Sequence, residues 1–293
     1  MKLLAAVDFS EITNPLLRTV KRIAQEHNAE IHLLHGVSPV VYLSYPEAFG
    51  VSVIDIEILQ EVEKEKKKEA EEKLKGLIDF LSPLEAKVYV EVGEAASLIL
   101  EYEDKISPDL VFLGSHKKGL IEKILVGSTT EKVVKHGKRS DFVIKGSEVS
   151  FSKSVVIAYD FSETAQKAVE FALEFLKPFS VKVKLLHVNE PLELPLVKRL
   201  SEEIYEMLKK EKMIILEEVA QRFRDLGKDV EVMFKERESP VEEIVKVVNN
   251  SEDVELLVVG SRGLSGLKRI VLGSTASKLL SKINKPILIY KVQ

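Results

Sequence analysis

The residues best suited to chemistry in this chain of 293 residues are an aspartate motif that occurs twice and a glycine-spaced loop that ends in hydroxyls. Asp8-Phe9-Ser10 follows the apolar run 3–7, and Asp160-Phe161-Ser162 follows the run 155–159. A carboxylate so placed can accept hydrogen bonds from a ligand's N–H or O–H groups, and the serine can cap a helix. Further on stand Gly260-Ser261-Arg262-Gly263, Gly266 and then Gly273-Ser274-Thr275. Glycines let backbone N–H groups close on an anion. A helix opening at Ser274 would add the positive end of its dipole, and the hydroxyls would donate further bonds, a set suited to phosphate. Each feature also has an ordinary structural reading, because loop glycines end strands and an aspartate or serine before a helix is a capping signal. Their joint spacing favours binding.

Other chemistries lack residues. Cysteine is absent, which excludes thiol catalysis, cysteine-ligated zinc and iron–sulfur clusters and fits a reducing compartment. The six histidines are scattered, with no pair in a metal motif. His35 and His187 each close a Leu-Leu-His run and are expected to be hydrogen-bonded structural residues near the ligand edge rather than bases. Gly114 and Gly119 frame a loop, but Leu120 follows where a P-loop needs lysine. No dinucleotide fingerprint follows the first strand of either copy. No catalytic residue and no metal ligand is therefore assigned. With 43 basic and 47 acidic residues there is no global field for nucleic acid. No run approaches the roughly 18 apolar residues of a membrane span, and the N-terminal apolar stretch ends at Asp8, too early for a signal peptide. The expectation is a cytoplasmic protein with no nucleic-acid or membrane partner.

The elements that must position these residues come from a repeat. Residues 3–11 return as 155–163, with the aspartates 152 positions apart, and Leu33-Leu34-His35 returns as Leu185-Leu186-His187 at the same offset. Residues 110–115 return as 256–261, and Val126-Gly127-Ser128-Thr129 as Leu272-Gly273-Ser274-Thr275, now 146 apart. The first copy is thus six residues longer between His35 and Gly114. Two domains follow, 1–146 and 151–293, joined by a short polar stretch near 146–153. In the second copy, apolar runs at 155–159, 183–188, 230–234, 256–259 and 287–290 suit strands buried on both faces of a parallel sheet. Between them, Ala165, Val169, Ala172, Leu173 and Leu176 recur at helical spacing after Ser162, as Leu16, Leu17, Val20, Ile23 and Ala24 do after Asn14-Pro15. The charged runs 61–68 and 201–212 read as wet faces of long helices. Their apolar faces continue at Leu74, Leu77, Ile78 and Leu81, and at Leu208, Ile215 and Val219. The class is α/β: two tandem doubly wound domains, each with a five-stranded parallel sheet flanked by helices. Ligands of such sheets bind beyond the carboxyl ends of the strands where strand order reverses, which is where the aspartates and the glycine loops fall.

The spacing Gly260-x2-Gly263-x9-Gly273-Ser274 after a valine-rich strand, paired with Asp160 after the first strand, resembles the nucleotide-binding signature of the universal stress protein family. The resemblance covers essentially the whole chain as two tandem copies. It implies an adenine nucleotide alpha hydrolase-like fold and an adenine nucleotide ligand, ATP, ADP or AMP, with Mg as a companion. Asp160 and Val188 would meet adenine, with Phe161, Ser162 and Arg262 in the same set. Gly260 and Gly263 would pass ribose and phosphates, and Gly273, Ser274 and Thr275 would bind phosphate oxygens. A second site at Asp8, Gly114, Gly127, Ser128 and Thr129 departs from the pattern. Lys117 stands in the place of Gly263, and Gly36 in that of Val188. If Gly263 serves a positive-φ turn or a close phosphate approach, a lysine there costs freedom and adds bulk, although Lys117 and Lys118 also bring positive charge. The extra segment 37–53, with Tyr42, Tyr45 and Phe49, is assigned to packing ahead of a lid or contact surface. Family resemblance also implies that the last strands, 142–145 and 287–291, pair across a two-fold axis. The short linker makes that pairing intramolecular, with a homodimer of such pairs as a larger assembly. The implied function is a nucleotide-responsive binding module of the stress response. A weak ATPase or nucleotidyl-transferring enzyme, and a scaffold without nucleotide, are the alternatives.

Overall fold

The computed structural model describes residues 1–39, 56–115, 126–190, 202–236, 239–263 and 272–292. Most of the segment 37–53 lies outside them, as do Lys117, Lys118 and Gly266. The first half runs β1 (Lys2–Ala6), α1 (Thr13–His27), β2 (Glu30–Val37), α2 (Ile56–Leu81), β3 (Ala86–Val92), α3 (Ala95–Ile106), β4 (Leu110–Ser115), α4 (Ser128–His136) and β5 (Ser140–Lys145). The second runs β6 (Ser154–Ala158), α5 (Glu163–Leu176), β7 (Lys182–Asn189), α6 (Glu202–Asp225), β8 (Asp229–Glu236), α7 (Pro240–Asn250), β9 (Val254–Gly260), α8 (Ser274–Lys282) and β10 (Ile287–Tyr290).

The five apolar runs of the second copy are thus the five strands, each shifted by no more than a few residues. They are continuous runs because helices cover both faces, and β5 and β9 are buried along almost their whole length. Helix α5 begins as expected, with Ser162 Oγ accepting from the Ala165 N–H at 3.1 Å. Helix α1 does not. It starts at Thr13, ahead of Asn14-Pro15, and has no side-chain cap. Its counterpart serine, Ser10, donates instead to Asp8 Oδ1 at 2.6 Å. The long charged runs are helix faces in α2 and α6, but Leu208 is 40% exposed rather than packed. The C-terminal part of α6 packs into the core under the sheet, through Leu216, Val219, Ala220 and Phe223.

All ten strands form one sheet in the order β3-β2-β1-β4-β5-β10-β9-β6-β7-β8. Neighbours within each half are parallel. At the centre β5 and β10 are antiparallel, with Ile287 opposite Val143, Leu288 opposite Phe142 and Ile289 opposite Asp141. The expected pairing of last strands therefore forms within one chain. Helices α1, α2, α5 and α6 cover one face, and α3, α4, α7 and α8 the other. Both cores run unbroken across the two halves.

The connection between the halves is less polar in structure than in sequence. Val149 is 1% and Phe151 2% exposed. Phe151 adopts φ 55° and stacks on Phe179 with centroids 4.1 Å apart. The Val149 N–H donates to Thr19 Oγ1 at 3.0 Å, and His27 donates across the joint to the Phe175 carbonyl at 2.9 Å. Apolar side chains tie the connection into a core shared by α1 and α5, so it is a fixed part of the joint. Replacing Phe151 with Ala should cost about 3–5 kcal/mol of unfolding free energy in a urea titration. A loss under roughly 1 kcal/mol, the scale of a surface change, would show that the connection is a loose tether after all.

Candidate functional site

The strand order reverses between β1 and β4 in the first half and between β6 and β9 in the second, which opens a crevice at the carboxyl ends of each pair. In the second half the loop after β6 carries Asp160, whose Oδ1 accepts from the Ser162 N–H at 3.0 Å. Phe161 between them takes φ 63°, a strained left-handed conformation for an aromatic residue. Its counterpart Phe9 does the same at 60°. This turn aims the other carboxylate oxygen at the loop after β9, where a Cβ on Gly263 would lie 2.8 Å from Asp160 Oδ2.

A side chain at Gly263 would therefore have to displace the Asp160 carboxylate. Gly263 is not among the positive-φ glycines of the described residues, which are Gly146 and Gly227, so the positive-φ explanation is corrected. Ser162 Oγ reaches the Arg262 carbonyl at 3.5 Å. The Gly273 N–H donates to the Ser261 carbonyl at 2.7 Å, and a Cβ on Gly273 would stand 3.2 Å from that oxygen. These contacts bring Asp160, Ser162, Arg262, Gly263 and Gly273 together. Gly260 has a sufficient reason in packing, since a Cβ there would meet Thr164 Cγ2 at 3.0 Å. Val188, also buried, belongs to β7 and to the core on the opposite sheet face from His187.

The electrostatics favour an anion. Helix α8 opens with Gly273 as its cap residue, no side-chain cap and no acidic residue in its first turn, and Ser274 and Thr275 are exposed there. Its first backbone N–H groups and the positive end of its dipole therefore have no side-chain cap among the described residues. Arg262 Nε is buried and has no hydrogen-bond partner among the described residues. The site thus offers unpaired donors for phosphate-like oxygens beside a carboxylate acceptor.

Behind Phe161 lies His187, 6% exposed. Its Nδ1–H donates to the Tyr159 carbonyl at 2.8 Å, which supports the structural reading, but Nε2 has no partner. Phe161 and Phe234 flank the ring at 4.6 and 5.4 Å. Sequence reasoning missed the neighbouring network, in which Lys212 donates to Asn189 Oδ1 at 2.5 Å, Asn189 to the Tyr205 hydroxyl at 3.2 Å, and that hydroxyl to Glu236 at 3.1 Å. Its members come from three separate elements, and no local spacing announces them.

The first half repeats the frame with differences. His35 bonds the Val7 carbonyl at 2.8 Å, and Gly127, Ser128 and Thr129 open α4 as expected. Asp8 Oδ1, however, accepts from the Ser10 hydroxyl, from the Ser10 N–H at 3.1 Å and from the Thr13 hydroxyl at 3.3 Å. Helix α4 carries Glu131 in its first turn, a negative charge where phosphate would lie. Gly114 is held small by Ile12, whose Cγ2 would stand 2.5 Å from a Cβ. At Gly36, the counterpart of Val188, a Cβ would come within 3.1 Å of Leu98 Cδ1, so Leu98 packs against the bare backbone there. Lys117 lies outside the described residues.

Among the described residues no group of three His, Cys, Asp or Glu side chains could hold a metal ion, and no helix is long and apolar enough to cross a membrane.

Comparison with known proteins agrees with this architecture. The model of the universal stress protein family matches residues 1–145 and again 152–291, and the chain belongs to that family, with two tandem domains. A universal stress protein of Methanocaldococcus jannaschii is 32% identical over 154 residues, 47% of this chain and 94% of that protein. One from Mycolicibacterium smegmatis is 22% identical over 294 residues, 99% of this chain and 96% of its own length. A crystal structure of a universal stress protein from Archaeoglobus fulgidus superimposes with a TM-score of 0.68 at 20% identity, covering 99% of this chain and 98% of that one, and so shares the fold.

Burial holds His187 below its ordinary 6.5, against the pull of the Tyr159 carbonyl. A histidine depressed in this way contributes stability above 6.5 that is lost as pH falls through its lower folded value. In an NMR titration its ring should titrate below 6.5, with the neutral form the Nδ1–H tautomer. A midpoint at or above that value would mean that the ring is solvated.

Proposed function

We propose that this protein is a nucleotide-responsive binding module of the stress response, without catalytic residues, whose second domain holds an adenine nucleotide: ATP, ADP or AMP. The domains are taken as 1–146 and 151–293. The observation that carries the reading is the convergence of Asp160, Gly263 and Gly273 on the uncapped start of α8, beside the unpaired Arg262 Nε. In this reading Asp160 accepts from the base, with Val188, Phe161 and Ser162 beside it. Gly260 and Gly263 admit the ribose and phosphates. The N–H groups and hydroxyls at Gly273, Ser274 and Thr275, with Arg262, bind phosphate oxygens. Magnesium would arrive on the phosphates and balance part of their charge. The first domain, with Asp8 already engaged and Glu131 at the helix start, binds weakly or not at all through Asp8, Gly114, Gly127, Ser128 and Thr129. The protein works in the cytoplasm, as an intramolecular pair of domains that can associate into a homodimer.

Mass spectrometry of molecules released by denaturing the purified protein would identify the nucleotide. In calorimetry, Gly263→Lys should weaken binding at least tenfold, about 1.4 kcal/mol, because the new Cβ meets Asp160. Unchanged affinity would leave Gly263 as a turn residue only. Asp160→Ala should weaken ATP and AMP by similar factors in a folded protein. Retained affinity with loss of a slow ATP hydrolysis would instead favour the enzyme reading.

A further inference from the structure

Where the two halves meet, three ionisable side chains are shut away from water together. Asp141 in β5 is 0% exposed, Glu103 in α3 2%, and Lys291, just after β10, 3%. The Lys291 ammonium lies 2.6 Å from Asp141 Oδ2 and donates to the Gly137 carbonyl at 2.9 Å. Glu103 Oε2 accepts from the Lys138 N–H at 3.0 Å. The remaining oxygens, Asp141 Oδ1 and Glu103 Oε1, are buried without a hydrogen-bond partner. Two carboxyl groups therefore face one ammonium, and two buried acceptors lack donors. One proton bound at Glu103 eases this, since it removes a negative charge beside Asp141 and turns the Glu103 acceptor into a donor.

We propose that Glu103 holds a proton at this joint, and that the pairing of β5 with β10 is tightest while that proton is bound. Burial, then the neighbouring Asp141, pushes Glu103 up to about 7, against the N–H groups of Lys138 and Arg139 and the charge of Lys291. Burial pushes Asp141 up too, against Lys291. Of the other charged groups on the adjoining elements, Lys138 pairs outward with Asp104 at 2.8 Å, and Lys135 and His136 at the end of α4 are exposed. A carboxyl raised above its ordinary 4.5 contributes stability below 4.5 that is lost as pH rises through about 7.

The pseudo-symmetric position answers in the opposite sense. Lys145, the counterpart of Lys291, is 1% exposed and donates to the carbonyls of Leu280 and Ile283, and Ile287 stands where Asp141 does in the other half. Burial lowers it from 10.5 to about 7, so its contribution is present above 10.5 and lost as pH falls through about 7. The two ends of the joint together make neutral pH the least favourable for pairing.

Thermal unfolding of the full chain across roughly pH 5 to 9 tests this as a difference from wild type, in which His32, His187 and other shared groups cancel. Glu103→Gln should match wild type at the acid end and gain several degrees in Tm as pH rises. Lys145→Met should gain at the acid end, and its advantage over wild type should shrink as pH rises above about 7. Asp141→Asn removes the repulsion and should move the Glu103 transition to lower pH, a readout that stands if Glu103→Gln fails to fold. Hydrogen exchange of the Ile287–Tyr290 amides, corrected for intrinsic rate, should show protection lost with rising pH in wild type and kept in Glu103→Gln. A Glu103→Gln difference that stays flat with pH, or an Asp141→Asn transition that does not move, would overturn the proposal.

Discussion

The antiparallel contact between β5 and β10 is the constraint on which the rest of the molecule depends. A parallel sheet that ends in an apolar strand leaves a row of backbone donors and acceptors unpaired beside two uncovered cores. Two such edges in one chain satisfy each other, and Leu288 opposite Phe142 sets the centre of a pseudo-two-fold. Because the two strands run in opposite directions, so do the halves. The carboxyl ends of β1 and β4 face one end of the molecule, and those of β6 and β9 face the other. The shared sheet thus keeps the two ligand crevices apart while α1, α5 and the buried Phe151 lock the halves into one core.

Within that symmetric frame the halves have diverged where a ligand would act. Loss of a side chain at Gly36 is offset by Leu98, so the core stays packed while the edge changes. Asp8 is occupied by Ser10 and Thr13, whereas Asp160 keeps one oxygen turned towards Gly263. The start of α4 carries Glu131, and the start of α8 carries no acid. These changes all point to the second half as the anion-binding one, and none of them disturbs the strand order.

Much of the fold was legible in the sequence because its signals are local. Short Val/Leu runs such as 256–259 suit strands covered on both faces, Ser162 announces its helix, and the offset repeat announces two domains. The central joint was expected from the family resemblance, and the apolar last strand of each copy agrees with it. What stayed hidden depends on contacts far apart in the chain. Phe151 sits in a stretch that looks polar, and its burial follows from Phe179 on another element. Gly263 was read for a positive-φ turn or a close phosphate approach, and nothing in the sequence signals that its Cα faces the Asp160 carboxylate, over a hundred residues away. The two acids and the ammonium at the joint come from α3, from β5 and from beyond β10, and no spacing rule links them.

The central claim is that one end of this two-fold frame, formed by the loops after β6 and β9, binds an adenine nucleotide. Backbone amide chemical shifts of the labelled protein during titration with ATP test it most directly. The account predicts saturable shifts at Phe161, Ser162, Arg262, Gly263 and the Gly273–Thr275 amides, with the matching amides at Phe9, Ser10 and Gly127–Thr129 moving little. Shifts confined to the first half, or none at either edge, would contradict it.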